Sequence, residues 1–307
     1  MRGQKFGGKT LVEISKSLIG AKLNNKQNTI KISSTDLANT TPAISLMSLD
    51  FPTGKKEFIN QIRPKTINEI LPTTVDNTDT KTEIANLAVY TQPTERLTSL
   101  TTLSDDTLVF VTTVSTQKGH HSNLLFFDGK SSKSKKVSGF KKCNCTVENL
   151  IAIAGDKLIA VVSLAGGIPP FELVEIDLKN GKVTSDSDLG LPQLPPNIRL
   201  SNLALDPDGK IYATTLGMDG VTRLVQLDLD NRSMVTGTGK IVSLSPLTFD
   251  KKFLQKDLLS LTFSPSGEVY ALANPEYEEA NSLFSVDMHA GKMTLLSKAE
   301  VDKITYH

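Results

Sequence analysis

Apolar and polar residues alternate along this chain in short runs, and each run stops at a Gly, Asp, Asn or Pro. The stretch "SNLALDPDGKIYATT" (Ser201–Thr215) sets the pattern, with two alternating runs flanking Asp206-Pro207-Asp208-Gly209. Alternation of period two predicts a strand with one buried face, and Asp-Gly between two such runs closes a hairpin. Nearly the same phrase returns as "LSLTFSPSGEVYALA" near the C-terminus.

Aligning the turns exposes a repeat. Hairpin turns at Asp106, Asp156, Gly209 and Gly267 are each followed by a second apolar run, ending at Asp128, Asp177, Asp228 and Asp287. The turn-to-Asp intervals are 22, 21, 19 and 20 residues. A further copy is anchored at Asn28, 22 residues before Asp50, with a degraded first strand near Leu18–Leu23 and "TIKIS" as its second. Each copy reads as four strands, a to d. Three copies carry Asp-x-x-x-Gly between strands c and d: Asp50 to Gly54, Asp177 to Gly181 and Asp287 to Gly291. The carboxylate can accept the amide two residues on, and Gly takes the positive-φ position, so these aspartates are expected to be structural.

Five four-stranded units predict an all-β chain folded as a five-bladed β-propeller of antiparallel blades, with six or seven blades as alternatives. The reading is a single domain over 1–307, closed by terminal strands, with "VDKITYH" as the candidate closing segment. The phrases D-P-D-G-x-(I/L)-Y and D-x-x-x-G-K resemble those of the NHL-repeat, quinoprotein and gluconolactonase-like propellers. The resemblance covers most of 97–297. It implies a fold and no particular activity.

Topology then sorts the loops. The a–b and c–d turns share one face and are short, whereas the b–c loops and d–a connections share the other and are long. On that second face fall "TQKGHHSN" with His120 and His121, "AGGIPPFE", "LGMDGVTR" and "NPEYEEAN" with Tyr277, as well as a polar insertion over 60–96. Long loops on a rigid scaffold are where recognition is expected. Seven residues before each anchor stand Ser99, Asn149, Asn202 and Ser260, at the entry of the channel-lining strand a. They are candidate ligand contacts, and equally candidate caps for strand-end amides. The column before them reads Thr98, Glu148, Ser201 and Leu259.

Gluconolactonase-like propellers bind a divalent cation through Glu, Asn and Asp on inner strands. Asn149, Asn202 and Glu148 resemble part of that set, but the Glu-Gly-Pro entry is missing and Leu259 stands where an Asp is expected. A lone Glu148 does not make the carboxylate pair of a glycosidase. His120, His121, Cys143 and Cys145 are the concentrated soft ligands; as a tetrahedral zinc set they have unusual spacing. There is no phosphate-binding Gly-rich loop and no Gly-x-Ser-x-Gly elbow.

Composition narrows the classes. The 34 basic and 33 acidic residues leave a net charge of +1, which argues against a nucleic-acid partner. No apolar run is long enough to span a bilayer. The N-terminal "MRGQKFGGKTLVEISKSLIGAKL" lacks a continuous apolar core, so the expectation is a soluble chain without a signal peptide of its own. A leader removed ahead of residue 1 is compatible with that. Two cysteines cannot supply a disulfide framework. The sequence therefore predicts a non-catalytic binding module or scaffold without a cofactor, taking a protein or small polar ligand on the long-loop face. The alternative is a hydrolase or lactonase that uses a divalent cation at the channel mouth, with calcium or zinc as the candidate ion.

Overall fold

The structure, a computed structural model, describes residues 18–24, 43–49, 56–62, 94–116, 119–140, 144–155, 157–164, 167–184, 189–276, 278 and 280–306. These residues form strands and turns and no helix. In chain order the first strands are β1 (Leu18–Asn24), β2 (Ala43–Leu49) and β3 (Lys56–Ile62). Four complete blades follow. The second blade is β4 (Thr94–Thr102), β5 (Leu108–Thr116), β6 (Gly119–Phe127) and β7 (Ser132–Lys136). The third is β8 (Cys145–Ile153), β9 (Lys157–Leu164), β10 (Ile168–Ile176) and β11 (Val183–Thr184). The fourth is β12 (Arg199–Leu205), β13 (Ile211–Leu216), β14 (Thr222–Asp228) and β15 (Lys240–Pro246). A small hairpin, β16 (Thr248–Phe249) and β17 (Lys252–Phe253), leads into the fifth blade: β18 (Ser260–Phe263), β19 (Val269–Ala273), β20 (Asn281–Val286) and β21 (Met293–Ala299). The chain ends on β22 (Lys303–Tyr306).

These strands make five four-stranded antiparallel sheets arranged in a ring, a five-bladed β-propeller. The ring closes as the sequence suggested. β22 pairs with β1, Gly20 opposite Ile304, and becomes the inner strand of the first blade.

The first repeat needs correcting. Leu18–Asn24 is not its degraded first strand but its second, because it pairs on one side with β22 and on the other with β2. The Asn28 anchor and "TIKIS" lie outside the described residues, as does Asp50–Gly54.

Alternation explains the core. One face of each sheet packs on the next sheet, so the apolar side chains form five interblade clusters rather than one central core. Leu103, Val109 and Leu124 of the second blade meet Val147, Leu150 and Val162 of the third. Ile159 and Val161 of the third meet Leu200 and Ala213 of the fourth, and Leu224 meets Phe263 and Phe284 of the fifth. The two remaining clusters join the fifth blade to the first and the first to the second. Burying a side chain of this size stabilises by roughly 1.5–3 kcal/mol, and each cluster exists only if both of its blades are present.

The hairpin chemistry is local and as expected. Asp177 Oδ1 accepts the Lys179 amide at 2.6 Å, Gly181 N–H donates to Asp177 O at 2.8 Å, and Gly181 has φ 71°. Asp287 repeats this with His289 and Gly291. At Gly291 the backbone is also crowded, since a Cβ would stand 2.0 Å from Pro246 O.

The two faces differ for a narrower reason than the loop lengths implied. "TQKGHHSN" is mostly strand: β5 runs to Thr116 and β6 starts at Gly119, with His120 opposite Ser115 and His121 opposite Val114. β10 likewise begins at Ile168, so little of "AGGIPPFE" is loop. Among the described residues, the elaboration on this face comes mainly from the d–a connections over 189–198 and 247–259. Strands β3 and β4 take up both ends of the 60–96 segment, and 63–93 lies outside the described residues.

Candidate functional site

Each inner strand enters the channel from the face of the d–a connections, and β4, β8 and β12 bulge near their entry. The pairing register shifts between Leu97 and Ser99 in β4, between Val147 and Asn149 in β8, and between Ser201 and Ala204 in β12. Asn202 sits at φ 55°. A bulge re-aims neighbouring side chains. Here one group faces the channel while the next reaches the adjacent blade.

The column of Ser99, Asn149, Asn202 and Ser260 makes that second kind of contact. Ser99 Oγ donates to Leu150 O at 3.0 Å and accepts the Leu150 amide at 3.0 Å. Asn149 Oδ1 accepts the Leu203 amide at 2.7 Å. Asn202 Nδ2 donates to Leu258 O at 3.0 Å and to Thr214 Oγ1 at 2.9 Å. Ser260 Oγ donates to Ile304 O at 3.0 Å and accepts its amide at 3.3 Å. All four are buried. Ser99, Asn149 and Ser260 tie their inner strands to the next one and Asn202 ties β12 to the segment just ahead of β18, so the column stitches successive blades from the second round to the first.

A second layer of side chains was not singled out in the sequence. Three residues before Ser99, Asn202 and Ser260 stand Arg96, Arg199 and Asp257, and the closing strand β22 adds Lys303. With Glu148 on β8, every blade places one charged group at the channel mouth. The signal was available three columns upstream in the same alignment. It was hidden because the third repeat has Thr146 there, with the charge displaced to Glu148.

The cluster is tightly organised. Arg199 Nε lies 2.9 Å from Asp257 Oδ2, an ion pair whose two facing atoms are shielded from water without hydrogen-bond alignment. Asp257 Oδ1 accepts from Ser201 Oγ at 2.6 Å. Burial pushes the Asp257 carboxyl above its ordinary range, while Arg199 and the Ser201 hydroxyl oppose that shift. Its side chain keeps 15% exposure, a narrow opening to solvent in low-dielectric surroundings. Lys303 Nζ donates to Leu259 O, and burial pulls its ammonium down to about 8 against the pull of Asp257 and Asp302. Glu148 Oε1 accepts from Thr146 Oγ1 at 2.7 Å and Ser163 Oγ at 3.1 Å, and Oε2 lies 4.0 Å from Arg96 Nη2.

The remaining candidates sit elsewhere. His120 Nδ1 is hydrogen-bonded to Ser115 Oγ at 2.7 Å, and His121 is its neighbour on β6. Cys145 is disulfide-bonded, so it offers no thiolate to the zinc set; Cys143 lies outside the described residues. Tyr277 lies outside them as well. Among the described residues no three His, Cys, Asp or Glu side chains converge as metal ligands, and no helix is long and apolar enough to cross a membrane. On the opposite face a groove of about 350 Å³ runs between the second and third blades, lined by Phe126, Lys133, Lys135 and Lys179 among others. Its Lys135 is occupied by Leu178 O at 2.8 Å and the Phe126 ring.

Neither a protein-family model nor a curated protein matches the sequence. Solved structures do resemble the fold. A protein of unknown function from Bacteroides caccae is 11% identical, covering 95% of this chain and 98% of its own, with a TM-score of 0.43. A putative gluconolactonase is 9% identical over 96% of this chain and 83% of its own, with a TM-score of 0.42. A gluconolactonase from Xanthomonas campestris is 9% identical over 66% and 76%, with a TM-score of 0.38. Likeness at this level carries no assignment of activity.

Proposed function

We propose that this propeller is a non-catalytic binding module that receives a small polar ligand at the channel mouth, on the face of the interblade connections. The observation that supports this is the convergence of Arg96, Glu148, Arg199, Asp257 and Lys303 from all five blades. A site assembled this way exists only in the closed ring, which gives it a rigid frame. Its carboxylates favour binding over acid–base work. Glu148 Oε1 and Asp257 Oδ1 both accept protein hydroxyls, and Asp257 Oδ2 faces Arg199.

The donor set also bears on the divalent-cation alternative. Asn149 Oδ1 is occupied by the Leu203 amide, and Arg96, Arg199 and Lys303 already bring positive charge to the mouth. A metal ion there would meet repulsion and few free oxygens.

The test is recovery of small molecules. Wild-type protein is incubated with a small-molecule extract, washed, denatured, and the released compounds are identified by mass spectrometry. Arg96→Trp, which covers the mouth from an exposed position, is treated in parallel. The expected result is a compound enriched on wild type, absent from the variant and chemically unchanged. Equal recovery from Arg96→Trp refutes the site. A compound recovered in hydrolysed form refutes the non-catalytic reading in favour of a hydrolase.

A further inference from the structure

Three cations, Arg96, Arg199 and Lys303, stand at the mouth with Glu148 and Asp257, both engaged by protein groups, while Asp302 lies within electrostatic reach of Lys303. Arg199 is the best placed of the cations. Its Nε pairs with Asp257 by charge at 2.9 Å, and its guanidinium carbon lies 5.8 Å from the centre of the Phe171 ring. The side chain is still 42% exposed, and among the described residues no acceptor takes its terminal nitrogens.

A guanidinium paired at Nε and lying near a ring presents its two terminal N–H groups as a fork. Gly167, at φ 74°, stands beside this fork without a side chain of its own. A Cβ there would lie 3.9 Å from Arg199 Nη2 and 3.5 Å from Glu148 Oε2. The nearby Glu148 oxygen has Arg96 within 4.0 Å to offset its repulsion.

We infer that the ligand of the mouth is a small oxyanion, a carboxylate or a phosphate, taken by the terminal nitrogens of Arg199 with Lys303 as the second positive charge. This rests on the mouth being the binding site. It narrows that reading to a ligand class and makes the mouth a receptor for negative rather than positive charge.

The test titrates isotope-labelled protein at constant ionic strength with sodium acetate, sodium phosphate and, separately, manganese chloride, following the amides of Leu200 and Ile304 by NMR. Saturable shifts are expected with an oxyanion; acetate or phosphate, whichever binds more tightly, separates the carboxylate from the phosphate source. Arg199→Gln should weaken binding by about tenfold or more, and Arg199→Lys, which keeps the charge without the fork, by less. Lys179→Gln on the opposite face should change nothing. The inference falls if neither anion gives a saturable shift, if both Arg199 variants bind as wild type does, or if manganese at micromolar concentration broadens the amides around Glu148 and Asp257. An uncharged ligand recovered from wild type and lost in Arg96→Trp sinks the oxyanion and leaves the site standing. Recovery unaffected by Arg96→Trp removes both.

Discussion

Replacing Asn149 by Ala removes one hydrogen bond between the third and fourth blades and nothing from the charged layer above it. Its Oδ1 takes the Leu203 amide at 2.7 Å, and Asn149 and Leu203 are 6% and 4% exposed, so water cannot easily substitute. An N–H left buried without a partner costs about 1–3 kcal/mol. The expected loss is in that range, measured by urea unfolding followed by circular dichroism. Ser99→Ala and Ser260→Ala should cost at least as much, because each hydroxyl serves both a carbonyl and an amide of the next blade. The stability loss should be the same with or without calcium. A change in Asn149→Ala smaller than about 0.5 kcal/mol would refute the stitching role. A loss seen only when calcium is present would show that the side chain serves an ion.

Other outcomes follow from the same geometry. Gly291→Ala should destabilise severely, by more than about 3 kcal/mol, since its Cβ would collide with Pro246 O; Gly209→Ala, also at positive φ but facing open space, should cost only about 1 kcal/mol. Thermal unfolding of the two variants checks this. The folded-state ammonium of Lys303 titrates at about 8 against an ordinary 10.5, so between those values the unfolded chain binds more protons and stability should rise with pH. Relative to Lys303→Met, that rise should be visible as a difference in melting temperature across the window, in the presence of Asp257, Asp302, Arg199 and Glu148. The sign is opposite for Asp257. Its folded pKa is raised above 3.8, so stability should fall as pH climbs from that value through the folded pKa, and Asp257→Asn should flatten the slope. Ile304→Asp places a carboxylate in a side-chain position with 1% exposure on the closing strand, and should prevent soluble expression or cost more than about 3 kcal/mol.

Much of the architecture was legible because it is local. The hairpin of Asp206-Pro207-Asp208-Gly209 and the Asp177 and Asp287 turns are set by residues within a few positions of one another, and these recur at a countable interval. Reading failed where a long-range partner decides. Leu18–Asn24 looks like a first strand, and only pairing with β22 makes it a second. His120 and His121 look like loop residues beside Gly119, and only their pairing with β5 makes them strand.

The sequence by itself determined the repeat, the strand alternation and the turn chemistry, since period and turn geometry are properties of neighbouring residues. The ring, the stitching of Ser99, Asn149, Asn202 and Ser260 to the next blade, and the meeting of Arg96, Glu148, Arg199, Asp257 and Lys303 were decided only by tertiary structure. Those groups come from strand entries far apart in the chain. Closure brings them within electrostatic reach, and their burial and charge balance have no counterpart in any single repeat.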